Sequence, residues 1–166
     1  MPVRSILLAC VVTLGFASAS HASPEDVAKI KALEQRLAAA VASRDVDAIM
    51  QAYVPDETLF VFDVIPPRQY VGAKAFRKDW GEFLAGLKGP LKYEVTDVAV
   101  TTAGDVAYGH SIQRVAATDT KGQPVDLTTR VTDVYRKLKG KWVIVQEHIS
   151  VPVDLETGKP DLSSKP

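Results

Sequence analysis

The chain has 166 residues, 20 basic against 20 acidic, and a single cysteine. Balanced charge with no basic cluster excludes the electrostatic footprint of a nucleic-acid binder or an anionic-membrane binder. One cysteine excludes an intrachain disulfide, and the absence of asparagine excludes an N-glycosylation sequon.

Residues 1–22 read as a signal peptide. Arg4 supplies a positive start, Ile6 to Phe16 an apolar core, and Ser20-His21-Ala22 a small-x-small cleavage site. An earlier cut after Ala17-Ser18-Ala19 also fits. The roughly 11 apolar residues fall short of the ~20 that span a bilayer, which argues against a retained anchor. Leu7-Leu8-Ala9-Cys10 resembles a lipoprotein box, but too few apolar residues precede Cys10. Cleavage after Ala22 would leave 144 of the 166 residues, one domain's worth, without cysteine and with a net charge near −1. The expected location is periplasmic or secreted, with no membrane partner for the mature form.

Ser23 is placed to cap a helix, with Pro24 at its first position and Glu25 and Asp26 at its positive end. Val27, Ile30, Leu33, Leu37 and Val41 give that helix one apolar stripe. A second, shorter helix runs from Asp45 to Tyr53 and ends at Pro55-Asp56. Leu59 to Asp63 and Gln69 to Val71 are short strands about a Pro66-Pro67 turn. Gly72 opens a third helix, Ala73 to about Leu87, carrying Phe76, Trp80, Phe83 and Leu84, and Gly89-Pro90 stops it. Four strands follow: Leu91 to Thr101, Val106 to Ala117, Val125 to Lys137 and Lys141 to Val151. Residues 153–166, rich in Gly and Pro, read as a flexible tail. Helices early and a meander late indicate an α+β fold.

The closing hairpin, T-x-V-x-R-K followed by G-x-W-x-I-V-x-x-H-x-S over Thr132 to Ser150, resembles that of SnoaL-like domains in the nuclear transport factor 2-like superfamily. It is also similar to the end of the calcium/calmodulin-dependent kinase II association domain. The resemblance covers residues 23–152. It implies a cone, a curved antiparallel sheet wrapped around three helices, with a ligand pocket inside and a sheet face that meets a second subunit.

Alternation along the strands sorts their faces. Val125, Leu127, Thr129, Val131, Asp133 and Tyr135 form the more apolar, inward face of their strand. The same parity sends Val143, Val145, Glu147 and Ile149 inward from the last strand, and Tyr108, His110 and Ile112 inward from the strand Val106 to Ala117. His110 and Asp133 thereby become candidate catalytic residues, because an acid or base in an apolar interior acquires a pKa suited to proton transfer. Tyr53, Trp80, Tyr93, Tyr108, Glu147 and Ile149 are the expected substrate-binding residues, and the plain alternative is that the polar ones simply satisfy each other.

Trp142 and His148 fall on the opposite face with Arg130, Thr132 and Ser150, and the resemblance implies a homodimer face there. Relative to ketosteroid isomerase, the first helix lacks a tyrosine. Where the kinase association domain has pocket arginines, His110, Asp133 and Ile149 stand. Two histidines outside the signal segment and no close ligand spacing predict no metal, and no phosphate or dinucleotide loop predicts no cofactor. Two functions fit: acid/base isomerisation, elimination or hydration of a small hydrophobic or carbonyl-containing molecule, or a non-catalytic binding or scaffold domain.

Overall fold

A computed structural model describes residues 23–163, so the expected signal peptide, residues 1–22, lies outside the described residues. Helix α1 spans Pro24–Ala42; Ser23 Oγ accepts from Asp26 N at 3.3 Å, as a capping serine should. Its apolar stripe buries Ile30, Leu33, Leu37 and Val41. Each such side chain is worth about 1.5–3 kcal/mol of burial. Helix α2, Val46–Met50, is capped by Asp45, which accepts from Ala48 N at 2.9 Å.

Strands β1 (Phe60–Phe62) and β2 (Tyr70–Val71) precede helix α3 (Ala73–Ala85). Strands β3 (Leu87–Ala103), β4 (Val106–Asp119), β5 (Pro124–Leu138) and β6 (Lys141–Ser150) complete one sheet in the order β2-β1-β6-β5-β4-β3. All neighbours run antiparallel except β1 and β6, which are parallel, so the sheet is mixed rather than purely antiparallel. The α+β cone is otherwise as expected, with Phe76, Trp80 and Leu84 of α3 and the α1 stripe in one core.

Gly89-Pro90 does not stop the third helix; both residues lie inside β3. Helix α3 ends at Ala85 with Gly86 as its C-cap, and Arg44 satisfies carbonyls across the helix-to-strand junction. Its Nη1 donates to Leu84 O at 3.1 Å and Leu87 O at 2.6 Å, and its Nη2 to Gly89 O at 2.9 Å. Pro90 is tolerated because β3 is an edge strand, where a missing N–H costs no ladder bond. Residues 153–163 fold back as a turn rather than trailing away: Asp161 N donates to Pro152 O, and Thr128 N to Leu162 O, both at 2.8 Å.

Two details of register decide which side chains face the core. On β6 the pairing steps from Val134↔Gln146 to Tyr135↔Ile144, leaving Val145 as an extra residue in a bulge. Parity therefore reverses within the strand. Glu147 and Ile149 point inward beyond the bulge, and Trp142 and Ile144 point inward before it. On β4, Gly109 stands opposite Asp133 and Ala107 opposite Tyr135, so Ala107, Gly109, Ser111 and Gln113 face the interior. Tyr108 and His110 face outward.

Candidate functional site

A cavity of about 90 Å³ lies between α3 and the sheet. Helix α3 supplies Phe76, Asp79, Trp80 and Phe83, and the strands supply Tyr93, Gln113, Val115, Thr129, Glu147 and Ile149. Asp63, Val64 and Ile65, just after β1, form another wall, and Ile65 is 45% exposed at the solvent side. The rings of Trp80 and Phe83 meet edge-to-face, with centroids 5.9 Å apart.

Glu147 is the most deeply buried ionisable group on this wall, at 3% exposure. Tyr53, whose ring packs edge-on against Phe76, donates its hydroxyl to Glu147 Oε2 at 2.8 Å. Asp133 stands directly opposite Glu147 across the β5–β6 pairing, and both are buried. Desolvation pushes Glu147 up to about 8, and the Tyr53 hydrogen bond only partly offsets it. Behind it, desolvation also raises Asp133 and Glu34.

The second acidic group on the cavity is Asp63. Its Oδ1 accepts from Val64 N at 2.5 Å, and Asp79, on the same wall, accepts through Oδ1 from Tyr70 Oη at 2.6 Å. Desolvation, reinforced by the Asp79 charge, raises Asp63 to about 6. Tyr93 donates to Gln113 Oε1, and Gln113 Nε2 donates to Ser111 Oγ at 3.3 Å. The cavity wall thus carries carboxyl, amide and hydroxyl groups but no lysine, arginine or histidine.

The expected site residues divide sharply. Trp80, Tyr93, Glu147 and Ile149 line the cavity, and Tyr53 anchors Glu147 from beneath. Asp133 is buried as expected but stands behind Glu147, off the cavity wall. His110 and Tyr108 are exposed on the outer sheet face, so neither reaches this site; Tyr108 is 58% exposed. Trp142 is buried and cannot contribute to a subunit face: its Nε1 donates to Asp26 Oδ1 at 2.9 Å. His148 is exposed, beside the Phe62 ring.

Sequence reasoning missed Asp63, Asp79, Gln113 and Glu34. Glu34 had a readable signal, since it lies four residues after Ile30 on the buried stripe. Asp63 and Asp79 had none, because only the fold brings the β1 end against α3. Among the described residues no group of three or more His, Cys, Asp or Glu side chains could hold a metal ion.

Residues 30–154, most of the cone and all of the cavity wall, match the family model described as SnoaL-like domain. The chain belongs to the SnoaL-like domain family. A nuclear transport factor 2-like protein of unknown function from Pseudomonas putida KT2440 is 32% identical, with TM-score 0.78 over 87% of this chain and 99% of that one. A nuclear transport factor 2-like superfamily protein from Salmonella enterica serovar Typhimurium LT2 shares the fold at 18% identity and TM-score 0.72, over 82% of this chain and 99% of that one. So does a ketosteroid isomerase-like protein from Erwinia carotovora atroseptica SCRI1043, at 20% identity and TM-score 0.65, over 77% of this chain and 97% of that one. No curated protein matches the chain. For this SnoaL-like domain, family membership fixes the architecture, and the chemistry rests on the cavity wall.

Proposed function

We propose that the cavity binds a small, largely apolar carbonyl compound and moves a proton on it by acid/base chemistry carried by the protein's own carboxyls. The supporting observation is the pair Glu147 and Asp63 on one small cavity, with proton affinities displaced to about 8 and about 6. Near neutral pH Glu147 keeps its proton while Asp63 has mostly lost its own. Two carboxyls tuned apart in this way supply an acid and a base simultaneously.

In this reading Asp63 takes the proton from the carbon beside the carbonyl, and Glu147 donates to the carbonyl oxygen, giving the enol. Return of the Asp63 proton to another carbon, with Glu147 recovering its own, completes an isomerisation. Transfer of the Asp63 proton to a departing β-hydroxyl, which leaves as water while Glu147 takes back the enol proton, instead completes an elimination. The apolar rings of Phe76, Trp80 and Phe83 exclude water and strengthen both interactions. The ketosteroid isomerase-like neighbour agrees with this class of chemistry.

Hydrogen–deuterium exchange beside the carbonyl of a small cyclic ketone, followed by NMR, tests the reading without a known substrate. The protein should accelerate exchange, and Glu147→Gln or Asp63→Asn should each reduce that acceleration by about 10²–10⁴-fold. A ketone that binds but exchanges no faster than in buffer would sink the reading. It would instead favour a non-catalytic binding domain, a reading supported by the hydrogen bond Glu147 already accepts from Tyr53.

We also propose a homodimer and export. Support for the dimer comes from the outer sheet face, where His110, Thr132, His148 and Phe62 form one cross-strand row beside Tyr108. Tyr108→Glu should then convert a dimer to a monomer in light scattering, and a monomeric parent protein would refute the assembly. Export rests on Arg4, Ile6 to Phe16 and Ser20-His21-Ala22. The secreted protein should begin Ser-Pro-Glu-Asp, or Ser-His-Ala-Ser-Pro-Glu-Asp for the earlier cut; intact Met1 on soluble cytoplasmic protein would overturn it.

A further inference from the structure

We propose that Asp133 is a positioning residue for Glu147, held in turn by Tyr135 and Glu34, so that the cavity carboxyl is oriented by a hydrogen-bonded chain reaching back to α1. The inference rests on the reading of Glu147 as the proton-bearing group of the cavity. The members of this chain come from four regions of the fold. Tyr53 follows α2, Glu147 is on β6, Asp133 and Tyr135 are on β5, and Glu34 is on α1.

The geometry is continuous. Tyr53 Oη lies 2.8 Å from Glu147 Oε2, Asp133 is the direct cross-strand partner of Glu147, and Tyr135 Oη lies 3.3 Å from Asp133 Oδ2 and 2.9 Å from Glu34 Oε1. Two ionised carboxylates side by side in a buried cross-strand pair repel each other, and a proton kept on Asp133 lets it donate to Glu147. Asp133 Oδ1 and Glu34 Oε2 are buried without a hydrogen-bond partner, which disfavours the charged form of each carboxyl. The other titratable groups acting on Glu147 from surrounding elements are Glu34 of α1 and Asp63 beyond β1; Tyr93 of β3 senses the same charge. Among the described residues no lysine, arginine or histidine pairs with any of the three buried carboxyls. The set therefore has only its own protons with which to neutralise charge, and its members titrate together.

Carbon-13 NMR of carboxyl-labelled full-length protein tests this without a substrate. Removing the Asp133 donor by Asp133→Leu should raise the Glu147 midpoint by about one pH unit or more, because the ionised form loses a hydrogen bond. Asp133→Asn keeps an N–H donor of the same shape and should hold the midpoint within about half a unit. In the parent protein the Glu147 and Asp133 carbons should each show both titration steps, a readout that survives if Asp133→Leu does not fold. Independent single-step titrations in the parent protein would overturn the inference, as would equal Glu147 midpoints in folded Asp133→Leu and Asp133→Asn. Ketone exchange with Glu147→Gln tests the proton-transfer reading separately, so the two fail independently.

Discussion

Trp142 and Asp26, 116 residues apart, are joined by a 2.9 Å hydrogen bond from the indole Nε1 to Oδ1. Lys137 completes the contact: its Nζ lies 2.8 Å from Asp26 Oδ2 and 5.1 Å from the centre of the Trp142 ring. This knot ties the first turn of α1 to the closing hairpin, and it consumes the tryptophan that the sequence assigned to a subunit face.

The Lys137 hydrogen bond, then that from Trp142, holds the Asp26 carboxyl below its ordinary 3.8. A carboxylate with a depressed folded pKa stabilises the protein above the unfolded value and loses that contribution as pH falls through the folded one. Asp26→Asn and Trp142→Phe should both lower the urea midpoint at pH 7. The Asp26→Asn deficit should shrink in acid, below the usual carboxylate range. Identical midpoints at pH 7, measured by circular dichroism, would contradict the structural role of the knot.

Glu147 carries the opposite sign. Its folded value of about 8 lies above the ordinary 4.5, so the unfolded chain releases this proton first as pH rises. Stability should fall between those values, by up to about 1.4 kcal/mol per pH unit from this group. Glu147→Gln should make the slope shallower and leave the protein at least as stable as the parent at pH 8. A parent stability that rises from pH 5 to pH 8 would contradict the buried, protonated carboxyl.

Filling the cavity separates ligand binding from folding. Ile149→Trp adds bulk to a space of about 90 Å³ and should abolish ketone binding in a ligand-observed NMR titration. Its overpacking cost should be about 1–3 kcal/mol, which denaturant melts would report. Retained binding at parental affinity would place the ligand elsewhere.

Gly109 gives Tyr135 its space. A Cβ there would lie 2.8 Å from Ala99 O and 3.3 Å from Tyr135 Cε2. Gly109→Ala should therefore push the tyrosine off Glu34 and Asp133, cost about 1–3 kcal/mol, and alter the near-ultraviolet circular dichroism. An unchanged spectrum with unchanged stability would mean that β4 yields without moving Tyr135.

Local chemistry was enough to locate the Ser23 cap, the start of the second helix at Asp45, the α1 stripe and the four long strands, because each depends on neighbours within a turn or a strand. Period-two alternation placed Asp133, Glu147 and Ile149 inside, and helical spacing named Trp80; Glu147, Ile149 and Trp80 do line the cavity. Alternation failed on β4 and on the first half of β6. On β4 the bulkier residues Tyr108, His110 and Ile112 signal a core face. The real inner face is small or polar, since Gly109 and Ala107 must leave room for Tyr135 and the buried carboxyls. On β6 a single extra residue at Val145 reverses parity, so Trp142 and Glu147 share a face that strict alternation separates. The sequence determined which elements form and which residues are apolar enough to seek the core. Only the tertiary structure decided the side of the sheet, the Asp63–Asp79 wall and the Glu34–Tyr135–Asp133–Glu147 chain, because bulges and cross-strand space depend on partners far away in the chain.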